Sequence, residues 1–109
     1  MRIDILYFDG CPNHLPTTQV VRDVVHSLGI DAIVREVEVR NVDDAARLRF
    51  FGSPTIQVNG LDVDPAVRSR ADYSLSCRMY GRSGSPTRAL VEEALRKEHA
   101  AAPVEGRLA

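Results

Sequence analysis

Tyr7-Phe8-Asp9-Gly10-Cys11-Pro12-Asn13-His14 decides how this chain is read: an apolar run ends at a glycine, and a cysteine stands in front of a helical pattern. Upstream, Ile3, Ile5 and Tyr7 alternate with Asp4, Leu6 and Phe8, which predicts a strand buried on both faces. Downstream, Val20, Val21, Val24, Val25 and Leu28 recur at helical spacing until Gly29, which predicts an amphipathic helix with a glycine stop. Asn13 is the expected N-cap, because Pro16 then falls in the first turn, where no backbone donor is needed. A cysteine between a strand end and a helix start lies beside unpaired backbone N–H groups and the positive end of the helix dipole. Both favour a thiolate over a thiol, so Cys11 is the leading candidate nucleophile.

The rest of the chain extends this unit. Residues 32–39 alternate again and predict a second strand, so that strand, helix and strand form a β-α-β crossover with parallel strands. Residues at the carboxyl ends of such strands commonly carry function, and Cys11 is at one. Asn41 or Asp43 can cap a short helix through Leu48 and Arg49, and Gly52-Ser53-Pro54-Thr55 breaks it. Ile56-Gln57-Val58 and Leu61-Asp62-Val63 flank Asn59-Gly60, the strongest short hairpin signal. From 64 to 84 periodicity is lost, and a long unstructured loop of functional or mobile character is expected there, carrying Cys77. Ser85 as N-cap and Pro86 at the first helical position open a final helix, with Leu90, Val91, Ala94 and Leu95 as its apolar stripe. One domain over 1–98 and a flexible tail over 99–109 are expected.

The 109 residues are 44% hydrophobic and 27% charged, which suits an ordinary globular core and argues against disorder. A formal charge of -1 leaves no basic stripe for nucleic acid, and no apolar run approaches a membrane span. Two cysteines are too few for a secreted disulfide framework, so a cytoplasmic setting is expected. No cofactor is expected.

The order β, α, β, α, β, β, α, with a cysteine at the first helix start and a proline opening the third strand, resembles the thioredoxin fold, an α/β architecture with a mixed four-stranded sheet flanked by helices. Cys11-Pro12-Asn13-His14 stands where that family carries Cys-x-x-Cys, and Ser53-Pro54-Thr55 where it has a cis-proline loop. Together with Val58-Asn59-Gly60-x-Asp62 and Ser76-Cys77-Arg78-x-Tyr80, these motifs are similar to small bacterial thioredoxin-like proteins and selenoprotein homologues, some of them labelled alkylmercury lyase. The resemblance implies that Cys11 attacks disulfides and that the backbone of Ser53, before Pro54, pairs with an incoming chain, with Pro12 also in contact. Position 14 departs from the pattern: His14 cannot resolve a mixed disulfide as a second cysteine would. Cys77 can replace it, and a Cys11–Cys77 bond would stabilise the fold by about 4 kcal/mol through loop closure if unstrained. Glutathione is a second candidate resolver, and a soft metal held by both thiols and His14 a third arrangement.

Three functions follow. The first is a thiol-dependent oxidoreductase in which Cys11 is the nucleophile, His14 lowers its pKa or moves its proton, and the partner is a thiol or disulfide of a protein or a low-molecular-weight thiol. The second is cleavage of carbon–mercury bonds, with Cys11 and Cys77 gripping the metal and Asp9 protonating the leaving carbon. The third is a non-catalytic binding module. Each residue also has a plain structural reading: Asp9 as a turn former, His14 as a surface side chain, Cys77 as an incidental thiol, and Arg68, Arg70, Arg78 and Arg82 as a solvated surface rather than an anion site. Enzymatic activity and oligomeric state stay open at the level of sequence.

Overall fold

In the computed structural model, which describes residues 1–100, the apolar run at the N-terminus is the strand β1 (Arg2–Tyr7). It is followed by α1 (His14–Leu28), β2 (Ile33–Glu38), α2 (Val42–Leu48), β3 (Thr55–Val58), β4 (Leu61–Asp62), a short 3-10 turn (Pro65–Val67) and α3 (Arg88–Ala100). The sheet order is β2-β1-β3-β4: β1 runs parallel to β2, with Leu6 opposite Val37, and antiparallel to β3, with Ile5 opposite Ile56. β4 returns antiparallel to β3. The result is a mixed α/β domain with a four-stranded sheet and three helices. Among the described residues, no helix is long and apolar enough to cross a membrane.

β1 has a partner on each side, and Ile3, Asp4, Ile5 and Leu6 are all buried. Alternation sends Ile3 and Ile5 to one face, where they meet Ile56 and Val58 of β3, Val21 and Val24 of α1, and Val91, Ala94 and Leu95 of α3. Leu6 points the other way and packs with Val39, Ala45 and Phe50, so α2 covers the opposite face. The buried Asp4 is held by Arg35 across the β1–β2 pairing, Nε to Oδ1 at 2.8 Å.

Local chemistry explains the ends of the elements. Gly29, at φ 63, closes α1 with N–H bonds from Gly29 to the His26 carbonyl and from Ile30 to the Val25 carbonyl, the Schellman pair. Asn41 caps α2, its side chain accepting from Asp44 N at 2.8 Å. Asn59 and Gly60 both have positive φ, 51 and 85, as a two-residue type I′ hairpin requires.

Three expectations need correction. Asn13 occupies the residue before α1, but its φ and ψ are helical and its side chain makes no cap bond. Its amide instead fills the space beside Gly84, where Oδ1 accepts from the Ser85 hydroxyl at 3.4 Å. With Ser85 so engaged and Pro86 buried, α3 starts later than expected, and Thr87 Oγ1 caps it by accepting from Leu90 N at 3.1 Å. The helix also runs on through His99 and Ala100, so the expected tail begins too early; its remainder lies outside the described residues.

Residues 64–84 hold only the short 3-10 turn and isolated bridges, as the loss of periodicity implies, but the segment is tied to the rest of the domain. The Ser74 amide donates to the Phe50 carbonyl at 3.0 Å, and the Tyr80 hydroxyl to the Pro54 carbonyl at 2.6 Å. Between them Cys77 forms a parallel β-bridge with Ser53. Non-local ties of this kind have no period in sequence, which is why pattern reading misses them.

Candidate functional site

The sequence Phe8-Asp9-Gly10-Cys11 forms a tight turn off the end of β1. The Cys11 amide donates to the Phe8 carbonyl at 3.3 Å, and Gly10 takes φ 85 at the third position, where a side chain would be strained. Asp9 is an exposed member of this turn, in keeping with its plain structural reading. Cys11 is half-buried, Pro12 exposed, and the His14 amide donates back to the Cys11 carbonyl at 3.3 Å as α1 begins.

The His14 ring stacks on Tyr7 with centroids 3.6 Å apart and planes 9° from parallel. Its Nε2 lies 2.7 Å from Glu36 Oε1 on β2, and the Thr18 hydroxyl donates to the same oxygen at 2.9 Å. His14 therefore ties the first turn of α1 to β1 and β2. Glu36 and Thr18 are members of this cluster that sequence reading did not single out.

On the other side of the turn stands Ser53, buried and joined to Pro54 by a cis peptide bond. The β1–β3 register, continued one pair beyond Tyr7 and Pro54, sets Phe8 opposite Ser53, and the Phe8 amide donates to Ser53 Oγ at 3.3 Å. The main chain of Ser53 is engaged as well. Its N–H donates to the Ser76 carbonyl at 2.7 Å, and its carbonyl accepts from Arg78 N at 3.0 Å, bracketing Cys77. Paired residues of a parallel bridge project to the same side, so Cys77, which is exposed, emerges on the side to which Ser53 presents its hydroxyl. The expectation that Ser53 offers its backbone to an incoming chain meets a backbone already occupied by the chain itself.

What holds that segment is Arg78. Its guanidinium is buried and forked onto Asp62, Nη1 to Oδ2 at 2.6 Å and Nη2 to Oδ1 at 2.8 Å, with Nη1 also 3.2 Å from Thr55 Oγ1. Burial, the largest single influence, lowers its pKa; the hydrogen bonds to Asp62 together with the charges of Tyr80, Asp62 and Asp64 outweigh that and raise it. Tyr80 lies under the guanidinium, 4.5 Å from its ring centroid, and burial pushes the Tyr80 phenol upward despite the nearby positive charge. Gly52, at φ 112, gives the close approach: a Cβ there would stand 2.9 Å from Arg78 N and 3.0 Å from the Ser76 carbonyl.

Arg78 is thus a structural pin rather than a surface cation, and the expected solvation of the arginine group fails for it. Arg68 donates Nε to the Asp62 carbonyl at 2.8 Å, and Arg70 pairs with Asp72, an ion pair that raises the Arg70 pKa and lowers that of Asp72. The two motifs around Asp62 and Arg78 therefore meet in space, a pairing their shared presence hinted at without revealing the contact. Among the described residues no three His, Cys, Asp or Glu side chains come together as a metal set. The soft-metal arrangement of both thiols with His14 is therefore not assembled among them; His14 is turned to Glu36 instead. In comparisons with known proteins, no family model, curated protein or solved structure matches the chain.

Proposed function

We propose that this chain is a thioredoxin-fold thiol protein carrying out thiol–disulfide exchange, with Cys11 as nucleophile and Cys77 as the second thiol. The β2-β1-β3-β4 order with its single parallel pairing supports the fold, as does the cysteine turn at the carboxyl end of the central strand. The observation that carries the reading is the position of Ser53 between the two thiol segments. Its hydroxyl holds Phe8, which opens the Cys11 turn, and its main chain brackets Cys77.

The chemistry follows in two balanced steps. The Cys11 thiolate attacks one sulfur of a disulfide, forming a mixed disulfide and releasing the other half as a thiolate. The Cys77 thiolate then attacks Cys11 Sγ, closing Cys11–Cys77 and releasing the second half. Two electrons pass from the protein thiols to the substrate, and the thiol protons go to the two leaving groups; two molecules of a low-molecular-weight thiol other than the one released then reduce the Cys11–Cys77 bond and leave as their own disulfide. His14 acts as a positioning residue for the first turn of α1, and a reducing cytoplasmic setting suits both thiols.

Oxidation with diamide followed by intact mass and peptide mapping tests this. Loss of two hydrogens, mapped to a Cys11–Cys77 linkage and abolished in Cys77→Ser, is the expected result. A Cys11 that stays reduced and unmodified removes the proposal.

A further inference from the structure

The main chain next to the thiol turn is shut on both sides. Toward β2, the Tyr7 carbonyl accepts from Val39 N at 2.7 Å; toward β3, both main-chain groups of Ser53 are taken by residues 76 and 78. A polypeptide recognised in extended form needs a free N–H and C=O at a strand edge, because those bonds carry its sequence-independent affinity. Here such a chain would have to peel away a segment held by the buried Arg78–Asp62 fork, by the Tyr80 hydroxyl on the Pro54 carbonyl and by the Ser74 amide on the Phe50 carbonyl. The side chains stay reachable: Cys11 is half-buried, Cys77 is exposed, and Leu75 and Met79 beside it are 41% and 60% exposed.

We infer that the substrate of this site is a compact low-molecular-weight disulfide, and that residues 74–80 act as a built-in strap excluding extended polypeptides. This rests on the thiol–disulfide reading above and narrows it to a substrate class.

The test uses two probes that share one leaving group: glutathione disulfide, and a linear peptide whose cysteine carries glutathione in mixed disulfide. Reduced protein is mixed with each in single turnover and glutathione release is followed. Seating an extended peptide breaks the two Ser53 main-chain hydrogen bonds to residues 76 and 78, a cost of about tenfold or more that glutathione disulfide does not meet, so glutathione disulfide is expected to react at least about tenfold faster after correction for the intrinsic rates with free cysteine. A peptide that reacts as fast or faster overturns the substrate class while leaving the thiol chemistry standing. Reaction with neither removes the chemistry, and the substrate class with it.

Asp62→Asn, which weakens the fork, is expected to narrow the preference; an unchanged preference in a folded Asp62→Asn protein rules out the strap as its cause. Amide hydrogen exchange gives a readout independent of sulfur chemistry. The Ser53 and Arg78 amides are expected to be protected like strand amides, and exchange at the rate of an exposed loop overturns the inference.

Discussion

Replacing Arg78 by methionine removes the guanidinium but keeps a flexible apolar stem. Asp62, 5% exposed on its side chain, then loses both donors of the fork and retains at its carboxylate the Asp64 amide at 2.9 Å. Leaving one member of a buried ion pair uncompensated costs about 3–5 kcal/mol, a large share of the roughly 5–15 kcal/mol of a whole domain. For a domain near this size that corresponds to a fall in Tm of about 12 °C or more. Converting both partners, Asp62→Leu with Arg78→Met, removes the stranded charge and is expected to recover about 2 kcal/mol relative to Arg78→Met alone. It will not restore full stability, because the bonds to Thr55 and to the Asp64 amide go too. Urea unfolding followed by circular dichroism on the parent and the two variants measures this. A loss below about 1 kcal/mol in Arg78→Met, or a double variant weaker than Arg78→Met alone, would refute the assignment of Arg78 as the pin.

Gly52→Ala should cost about 2 kcal/mol or more, since the left-handed φ and the backbone of residues 76–78 both reject a Cβ; denaturant midpoints of the two proteins decide it. Among the described residues the buried Thr17 Oγ1 has no partner, so Thr17→Val is expected to raise stability by about 1 kcal/mol, and a clear loss in the same assay would mean the hydroxyl is satisfied. The Tyr80 phenol has its folded pKa raised by burial, so the unfolded chain gives up this proton first as pH rises past about 10. Stability should therefore be complete below that pH and fall above it, by up to about 1.4 kcal/mol per pH unit, and Tyr80→Phe should lack this share of the alkaline fall.

Periodic features were legible because each residue's role is set by its near neighbours. The valines of α1, the Gly29 stop, the Asn41 cap and the Asn59-Gly60 turn all belong to that kind. Asn13 was misjudged because a side chain able to cap can also reach sideways, and Gly84 left room for it. What ties the loop down is hidden in the sequence for a related reason. Arg78 reads as one more surface arginine until the fold brings Asp62 beneath it, and nothing local to Ser53 reveals that its main chain is shared with Ser76 and Arg78. At the site, Cys11 and the turn that carries it were readable from the strand–glycine–cysteine order. The link from His14 to Glu36 depends on β2 lying beside β1, a pairing across chain segments.

The sheet has one further consequence, for life at high concentration. One flank is β2, where Arg35 and Glu36 put charge along the outermost strand; the other is β4, only two residues long. Neither is a good template for a neighbouring copy to continue, since seating one there would strip water from charged side chains on one side and brevity denies it a ladder on the other. Crowded molecules of this protein are thus guarded against fibrous self-assembly by the same arrangement that leaves the central strand enclosed.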